Sequence, residues 1–261
     1  MRYRAVVSYF GKDYVGWQRQ LNGISVQQRL EEALTRTFGV PTECTASGRT
    51  DAGVHAAGQV VHFDADTPIP ADKIPFAVNT ELPDDISVLS CKPVPDSFNA
   101  RFSAKRKTYR YSVYVSRHRL PLLAPTHAHI AVPLDIDAMR KCAALIEGEH
   151  DFKSFEASGS KVKSTVRTVY RAEVAAEGDI RGGVLAEGRV YITVTGNGFL
   201  YNMVRIIAGT LVYAGMGKLA EADIVRALEE GDRTLAGKTL PPEGLTLMSV
   251  EYGDDDADGA L

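Results

Sequence analysis

The sequence predicts an α+β protein: two tandem ferredoxin-like halves whose strands join in a continuous, mostly antiparallel sheet. Three observations lead there. Apolar residues recur with a period of two in some stretches and with helical spacing in others, the first half reads β-α-β-β-α-β, and the second half repeats the theme. Helices on one face would leave the other face open for a ligand.

Tyr3, Ala5, Val7 and Tyr9 mark the first strand, and Gly11 to Gly16 make a loop. Ser25 with Gln28 reads as a capping box opening a helix whose apolar face is Val26, Leu30, Ala33 and Leu34, and Gly39 stops it. Strands over 41–46 and 57–64, a short helix over Ala71–Asn79 and a strand over Ile86–Val94 complete this half. The second half holds a strand over Thr108–Val115 and a helix bearing Ile136, Met139, Ala143 and Ile146. Strands over Val166–Ala175 and Arg189–Thr195, helices over Tyr201–Ala214 and Ala220–Glu229, and a last strand over Leu245–Tyr252 follow. The halves are expected at 1–104 and 105–252, and an acidic tail, 253–261, is expected to be disordered.

With 44% hydrophobic and 24% charged residues the chain can bury a sizeable core. No apolar run is long enough to cross a bilayer, and the first residues enter a strand pattern without a signal-peptide profile, so a soluble cytoplasmic protein is expected. Cys44, Cys91 and Cys142 lie too far apart for a metal knuckle and read as reduced, packed side chains. The net charge of −3 hides a polarity. Asp254, Asp255, Asp256 and Asp258 crowd the end, whereas residues 101–119 hold Arg101, Lys105, Arg106, Lys107, Arg110, Arg117 and Arg119 with no acid. A second acid-free stretch, 157–172, adds Lys161, Lys163, Arg167 and Arg171. Such runs are either solvated faces or a footprint for a polyanion.

The densest chemical string is Ser47-Gly48-Arg49-Thr50-Asp51-Ala52-Gly53-Val54-His55-Ala56, between two strands. Two glycines with Arg, Asp and His suit a polar constellation held against a ligand; a tight turn in which Asp51 caps an amide is the plainer reading. The string resembles the catalytic motif of the TruA-type tRNA pseudouridine synthases. Further stretches stand in that family's order: Tyr9-Phe10-Gly11, Tyr14, Gly16-Trp17-Gln18, Phe98-Asn99-Ala100-Arg101-Phe102-Ser103-Ala104, Lys107, Tyr109, Tyr111, His150-Asp151-Phe152, Phe155, Gly196-Asn197-Gly198-Phe199-Leu200, Met203-Val204-Arg205 and Gly244-Leu245. The likeness spans residues 3 to 252, with Leu240-Pro241-Pro242 departing from the family's small-residue-plus-proline pattern.

This resemblance implies the pseudouridine synthase fold and the isomerisation of uridine to pseudouridine at positions 38, 39 and 40 of the tRNA anticodon stem-loop, by base flipping, with no metal or organic cofactor. It makes Asp51 the nucleophile or the base that starts the reaction. A carboxylate shielded from water takes up a proton unless a fixed cation opposes it, and Arg205 is the expected cation; its plainer reading is a surface helical arginine. Tyr109 would stack on the extruded uracil, as the exception on a strand whose Tyr111, Val113 and Val115 are core. Arg49 would fill the space the base leaves, or form a structural salt bridge. Lys105, Arg106, Lys107 and Arg110 would border the site, and Lys161, Lys163 and Arg167 would continue along the RNA backbone. His55, His62 and Trp17 read as packing residues. By resemblance the working form is a homodimer that binds tRNA across both subunits. Two other readings are a non-catalytic RNA-binding protein with RRM-like halves, which lacks the expected aromatic consensus, and a carboxylate hydrolase, for which Asp13 and Asp151 offer no evident partner to Asp51.

Overall fold

The computed structural model describes residues 1–159 and 162–253. In chain order its elements are β1 (Arg2–Tyr9), α1 (Val26–Phe38), β2 (Cys44–Ala46), β3 (His55–Asp64), α2 (Ile74–Asn79), β4 (Ile86–Val94), β5 (Arg106–Val115), β6 (Ala128–Ile130), β7 (Leu134–Asp135), α3 (Ile136–Ala144), β8 (Gly148–Asp151), β9 (Val166–Arg181), β10 (Val184–Gly196), α4 (Met203–Gly215), α5 (Glu221–Glu230) and β11 (Leu245–Glu251). This is the expected mixed α+β class with mostly antiparallel pairing. Among the described residues two compact units emerge, one from residues 1–107 with 246–253, the other from 108–245.

In the first unit the strands run β4-β1-β3-β11, with β2 also on β3. β1 pairs antiparallel with both β3 and β4, and so becomes a central strand: Ala5, Val7 and Tyr9 are buried, and even Arg4 is covered, its guanidinium 4.7 Å from the ring centre of Tyr252. The α1 cap forms by half. Ser25 Oγ accepts from Gln28 N at 3.2 Å, which stabilises the helix by about 1 kcal/mol, but the Gln28 side chain donates from Nε2 forward to Glu32 rather than accepting from the cap's N–H. Gly39 ends the helix at φ +73°, as its position predicts. β11 returns to lie parallel to β3, pairing Thr246 with His55 and Leu247 with Ala56.

The second unit orders its strands β5-β10-β9-β8, with β6 on β5 and β7 on β10. Helix α3 packs on α4 and β9, and Met139, Ile206 and Leu211 of the two helices are buried, as are Val190 and Ile192 of β10. Several expected boundaries move. β9 and β10 reach Arg181 and back from Val184, a ribbon far longer than the apolar alternation suggested, because beyond Ala175 its residues are mostly exposed and polar and apolar types mix without a period. Ile146 is buried but lies past the end of α3, and α4 begins at Met203 because Asn202 adopts φ +59°, outside helical space. Of the acidic tail expected over 253–261, residues 254–261 lie outside the described residues.

Candidate active site

The stretch from Ser47 to Val54 joins β2 to β3 in the first unit, and hydrogen bonds hold its backbone at Ser47, Gly48, Thr50, Asp51 and Val54. Ser47 N donates to Val60 O at 2.8 Å and Ser47 Oγ to Gln59 Oε1 at 2.7 Å, while Gln59 Nε2 donates to Gly48 O at 3.0 Å. Tyr9 and Thr50 share a buried hydroxyl bond of 2.7 Å, Trp17 N donates to Thr50 O at 3.0 Å, and Val54 N closes a turn onto Asp51 O at 3.1 Å. Each net bond adds about 1 kcal/mol, so the loop that carries Asp51 is fixed before any ligand arrives. Gly53, at φ +79°, supplies the left-handed step of that turn.

Two glycines of the first loop let it approach. A β-carbon on Gly16 would stand 2.6 Å from Thr50 O and 3.1 Å from Ala52 N, and one on Gly11 would collide with Val54 O. The motif separated in sequence is therefore one packed object: the Tyr9 to Trp17 segment is the bed on which the Asp51 loop lies. Trp17 is buried against Tyr9 with ring centres 5.8 Å apart, the anchor expected of it.

Of the cations expected near this loop, Arg49, Lys105 and Arg106 are exposed, with Arg106 3.8 Å from Glu251. Lys107 instead turns inward and donates from Nζ to Ser47 O at 2.6 Å. Burial, reinforced by the charge of Arg101, pushes its ammonium down to about 8. Nothing in a run of basic residues distinguished this lysine from its neighbours. The histidines pack as expected: His55 Nδ1 accepts from Gly11 N and its ring stacks on Phe10, and His62 Nδ1 accepts from Ala100 N. Among the described residues no three His, Cys, Asp or Glu side chains group as metal ligands.

In the second unit Tyr109 is buried, its ring edge-on to Phe199 at 5.2 Å between centres. It is thus nearly as enclosed as Tyr111, Val113 and Val115, because the Gly196–Leu200 segment brings Phe199 over it. Arg205, on the first turn of α4, donates from Nε to Leu240 O at 2.7 Å and from Nη1 to Asn202 Oδ1 at 2.7 Å. Tyr111 OH donates to Pro241 O at 2.7 Å, so the Leu240-Pro241-Pro242 segment holds both the arginine and the tyrosine strand through its carbonyls. Arg110 is exposed, 5.6 Å above the Tyr191 ring. Lys163 is exposed, Arg167 folds back onto the carbonyls of Ser164 and Val166, and Lys161 lies outside the described residues. Asn202 was not singled out in the sequence; its positive φ is invisible there.

A family model described as tRNA pseudouridine synthase matches residues 5–103 and 142–253. The chain belongs to the tRNA pseudouridine synthase family. Curated relatives agree over nearly full length. A protein named tRNA pseudouridine synthase A from Ruminiclostridium cellulolyticum is 46% identical over 249 residues, 95% of this chain and 98% of the relative. The one so named from Syntrophotalea carbinolica is 46% identical over 253 residues, 97% of each, and that from Brevibacillus brevis 45% over 257, 96% of this chain and 99% of the relative. The tRNA pseudouridine synthase model covers the Asp51 loop, Phe199 and Arg205; Tyr109 and Lys107 fall between its two matched stretches.

Proposed function

We propose that this chain, an isomerase of the tRNA pseudouridine synthase family, converts uridine to pseudouridine at positions 38, 39 and 40 of the anticodon stem-loop of tRNA, with Asp51 as nucleophile or initiating base. The reaction breaks the bond from uracil N1 to the ribose, turns the ring and bonds carbon 5 to the same ribose carbon; carbon 5 gives up its proton and N1, freed from the sugar, takes one up. Reactant and product are isomers, so the balance needs no oxidant or second substrate. One fixed carboxylate suits this chemistry, and the observation that carries the reading is the loop that holds the Asp51 backbone through Ser47, Thr50 and Val54. Rigid support of a reacting group lowers the entropic cost of reaching the transition state.

In this reading Arg205 is the cation that keeps the carboxylate ionised, and its bonds to Leu240 and Asn202 limit it to few rotamers. Tyr109 stacks on the flipped uracil, returning about 1 to 3 kcal/mol against the few that extrusion costs. Arg49 takes the space the base leaves. Lys105, Arg106, Arg110, Lys163 and Arg167 follow the phosphates, with Lys161 continuing the same run in sequence. We place the enzyme in the cytoplasm as a homodimer, on the family resemblance alone.

The deciding experiment uses an unmodified tRNA transcript tritiated at uracil carbon 5, with no added cofactor. Tritium release by the wild type and none by a folded Asp51→Asn variant that still binds tRNA is the expected result. Tight binding without release from several tRNAs carrying uridine at these positions would replace the isomerase with a non-catalytic RNA-binding protein.

A further inference from the structure

Phe102 is 79% exposed, yet the turn that bears it is among the most tightly tied in the first unit. Phe98 packs on Tyr252 at 4.9 Å between ring centres, and Ala100 is fully buried, its N–H held by His62 Nδ1 at 3.1 Å and its carbonyl by Tyr252 OH at 2.7 Å. Asn99 Oδ1 then accepts from both Arg101 N at 2.9 Å and Phe102 N at 3.1 Å, Ser103 N donates to Asn99 O at 2.9 Å, and Ser103 Oγ accepts from Asn99 N at 3.1 Å. Single exposed apolar side chains are ordinary. Here, however, the backbone is anchored in the core at Ala100 and bonded back to Asn99 at Ser103, so the ring projects into solvent from a fixed backbone. The Arg101 guanidinium lies 5.5 Å from the ring's centre, and Lys105 and Arg106, three and four residues on in the chain, are exposed, with Glu251 the acid beside Arg106. Arg101 also acts electrostatically on Lys107, whose ammonium holds Ser47 at the head of the Asp51 loop.

We infer that Phe102, with Arg101 beside it, is a stacking platform for an unpaired base of the RNA, flanking the loop that carries Asp51. An aromatic ring offers every base a π-face, and neighbouring arginine and lysine charges neutralise the adjoining phosphates; together they bind unpaired nucleotides without reading their edges. A platform whose backbone is fixed in advance has less entropy to lose when the base arrives. The inference rests on RNA being the substrate, and it adds a contact outside the proposed chemistry.

Phe102→Ala and Phe102→Trp in the full chain test it, with unmodified tRNA transcript as the probe. Phe102→Ala is expected to raise the Kd for tRNA about 5- to 150-fold while the slope of log Kd against log salt stays at the wild-type value, because stacking releases no counterions. Phe102→Trp keeps wild-type affinity, and its indole fluorescence is quenched by tRNA; Trp17, buried and common to both proteins, supplies the background. Unchanged affinity in Phe102→Ala, a lowered salt slope, or an indole that tRNA leaves bright each overturns the platform. Loss of self-association in Phe102→Ala, with tRNA affinity per subunit retained, overturns it in favour of a contact between copies of the chain. Quenching in a protein that releases no tritium would leave the platform standing and remove the isomerase, so the two readings fail separately.

Discussion

The Lys107 ammonium donates to the Ser47 carbonyl at 2.6 Å, and the same nitrogen stands 2.8 Å from where a β-carbon on Gly48 would be. A lysine among exposed cations thus acts as a pin for the loop that leads to Asp51. Lys107→Met is expected to lower kcat about tenfold, the worth of about 1.4 kcal/mol, while KM and the Kd for tRNA change little. Steady-state kinetics with the tritiated transcript, beside a binding titration, checks this. A raised Kd with kcat intact would return Lys107 to the phosphate-binding cations.

The same lysine makes stability depend on pH in a stated direction. Its folded-state value, about 8, lies below the ordinary 10.5, so between these limits the unfolded chain binds a proton that the folded chain lacks. Stability therefore gains as pH rises through that window. Measured by thermal unfolding, the Tm of the wild type relative to Lys107→Met should climb from pH 8 to 10.5; a constant difference would argue that the ammonium is not enclosed.

Gly16 and Gly39 both adopt positive φ, but only Gly16 has the Asp51 loop against it. Gly16→Ala meets Thr50 O at 2.6 Å and is expected to cost about 2 kcal/mol or more in stability and to depress kcat by displacing Asp51. Gly39→Ala, with nothing within 4 Å of the new carbon, should cost about 1 kcal/mol and leave kcat alone. Chemical denaturation of both variants, with kinetics under native conditions, separates the two outcomes; equal kcat values would sever the first loop from catalysis.

Asn202 gives Arg205 a bond at 2.7 Å and also occupies φ +59°. Asn202→Gly keeps the backbone conformation and deletes the acceptor. A fall in kcat of about fivefold, equivalent to about 1 kcal/mol for one hydrogen bond, is expected. Asn202→Asp keeps an acceptor and should restore most of the loss. If neither variant differs from wild type, the orientation of Arg205 does not depend on this contact.

His62 is held neutral by burial and, secondarily, by the charge of Arg2, which pushes its pKa below the ordinary 6.5. Above 6.5 neither state is protonated and no dependence arises; as pH falls below it the unfolded chain takes the proton first, and stability is lost down to the folded-state value. Protonation would also remove the acceptor that Ala100 N uses. His62→Asn, which can offer an oxygen in place of Nδ1, should flatten the acid limb of a Tm-against-pH profile, and an unaltered limb would assign it to other groups.

The sequence displayed those elements whose burial follows a period. Val26, Leu30, Ala33 and Leu34 mark α1, and Ser25 and Gly39 bound it, because caps and apolar spacing are local. The outer part of the β9–β10 ribbon was illegible since most of its residues face water on both sides and keep no alternation. Short strands such as β6 and β7 offer two or three residues to read. At the site, the Asp51 string was visible as a motif, but what fixes it was not. Lys107 is 60 residues from Ser47, and Trp17 reaches Thr50 from another loop. Such pairings depend on tertiary approach, which a one-dimensional pattern does not encode. Tyr109 reads from its strand as an open-end residue, because the Phe199 that covers it comes from 90 residues further along.

β11 ties the chain's late residues to its early ones: Leu247 pairs with Ala56, Met248 closes over Gly58, and Glu251 O receives Lys105 N at 2.8 Å. The strand that leaves the Asp51 loop therefore gains its neighbour on that side only after about two hundred further residues have been translated. A nascent chain on the ribosome holds the motif but not the finished sheet around it, and such long-range pairing is slow to form. An aborted fragment ending before β11 would carry the motif and its bonds to Tyr9, Trp17, Gln59 and Lys107, yet leave β3 without its parallel neighbour at His55 and Ala56.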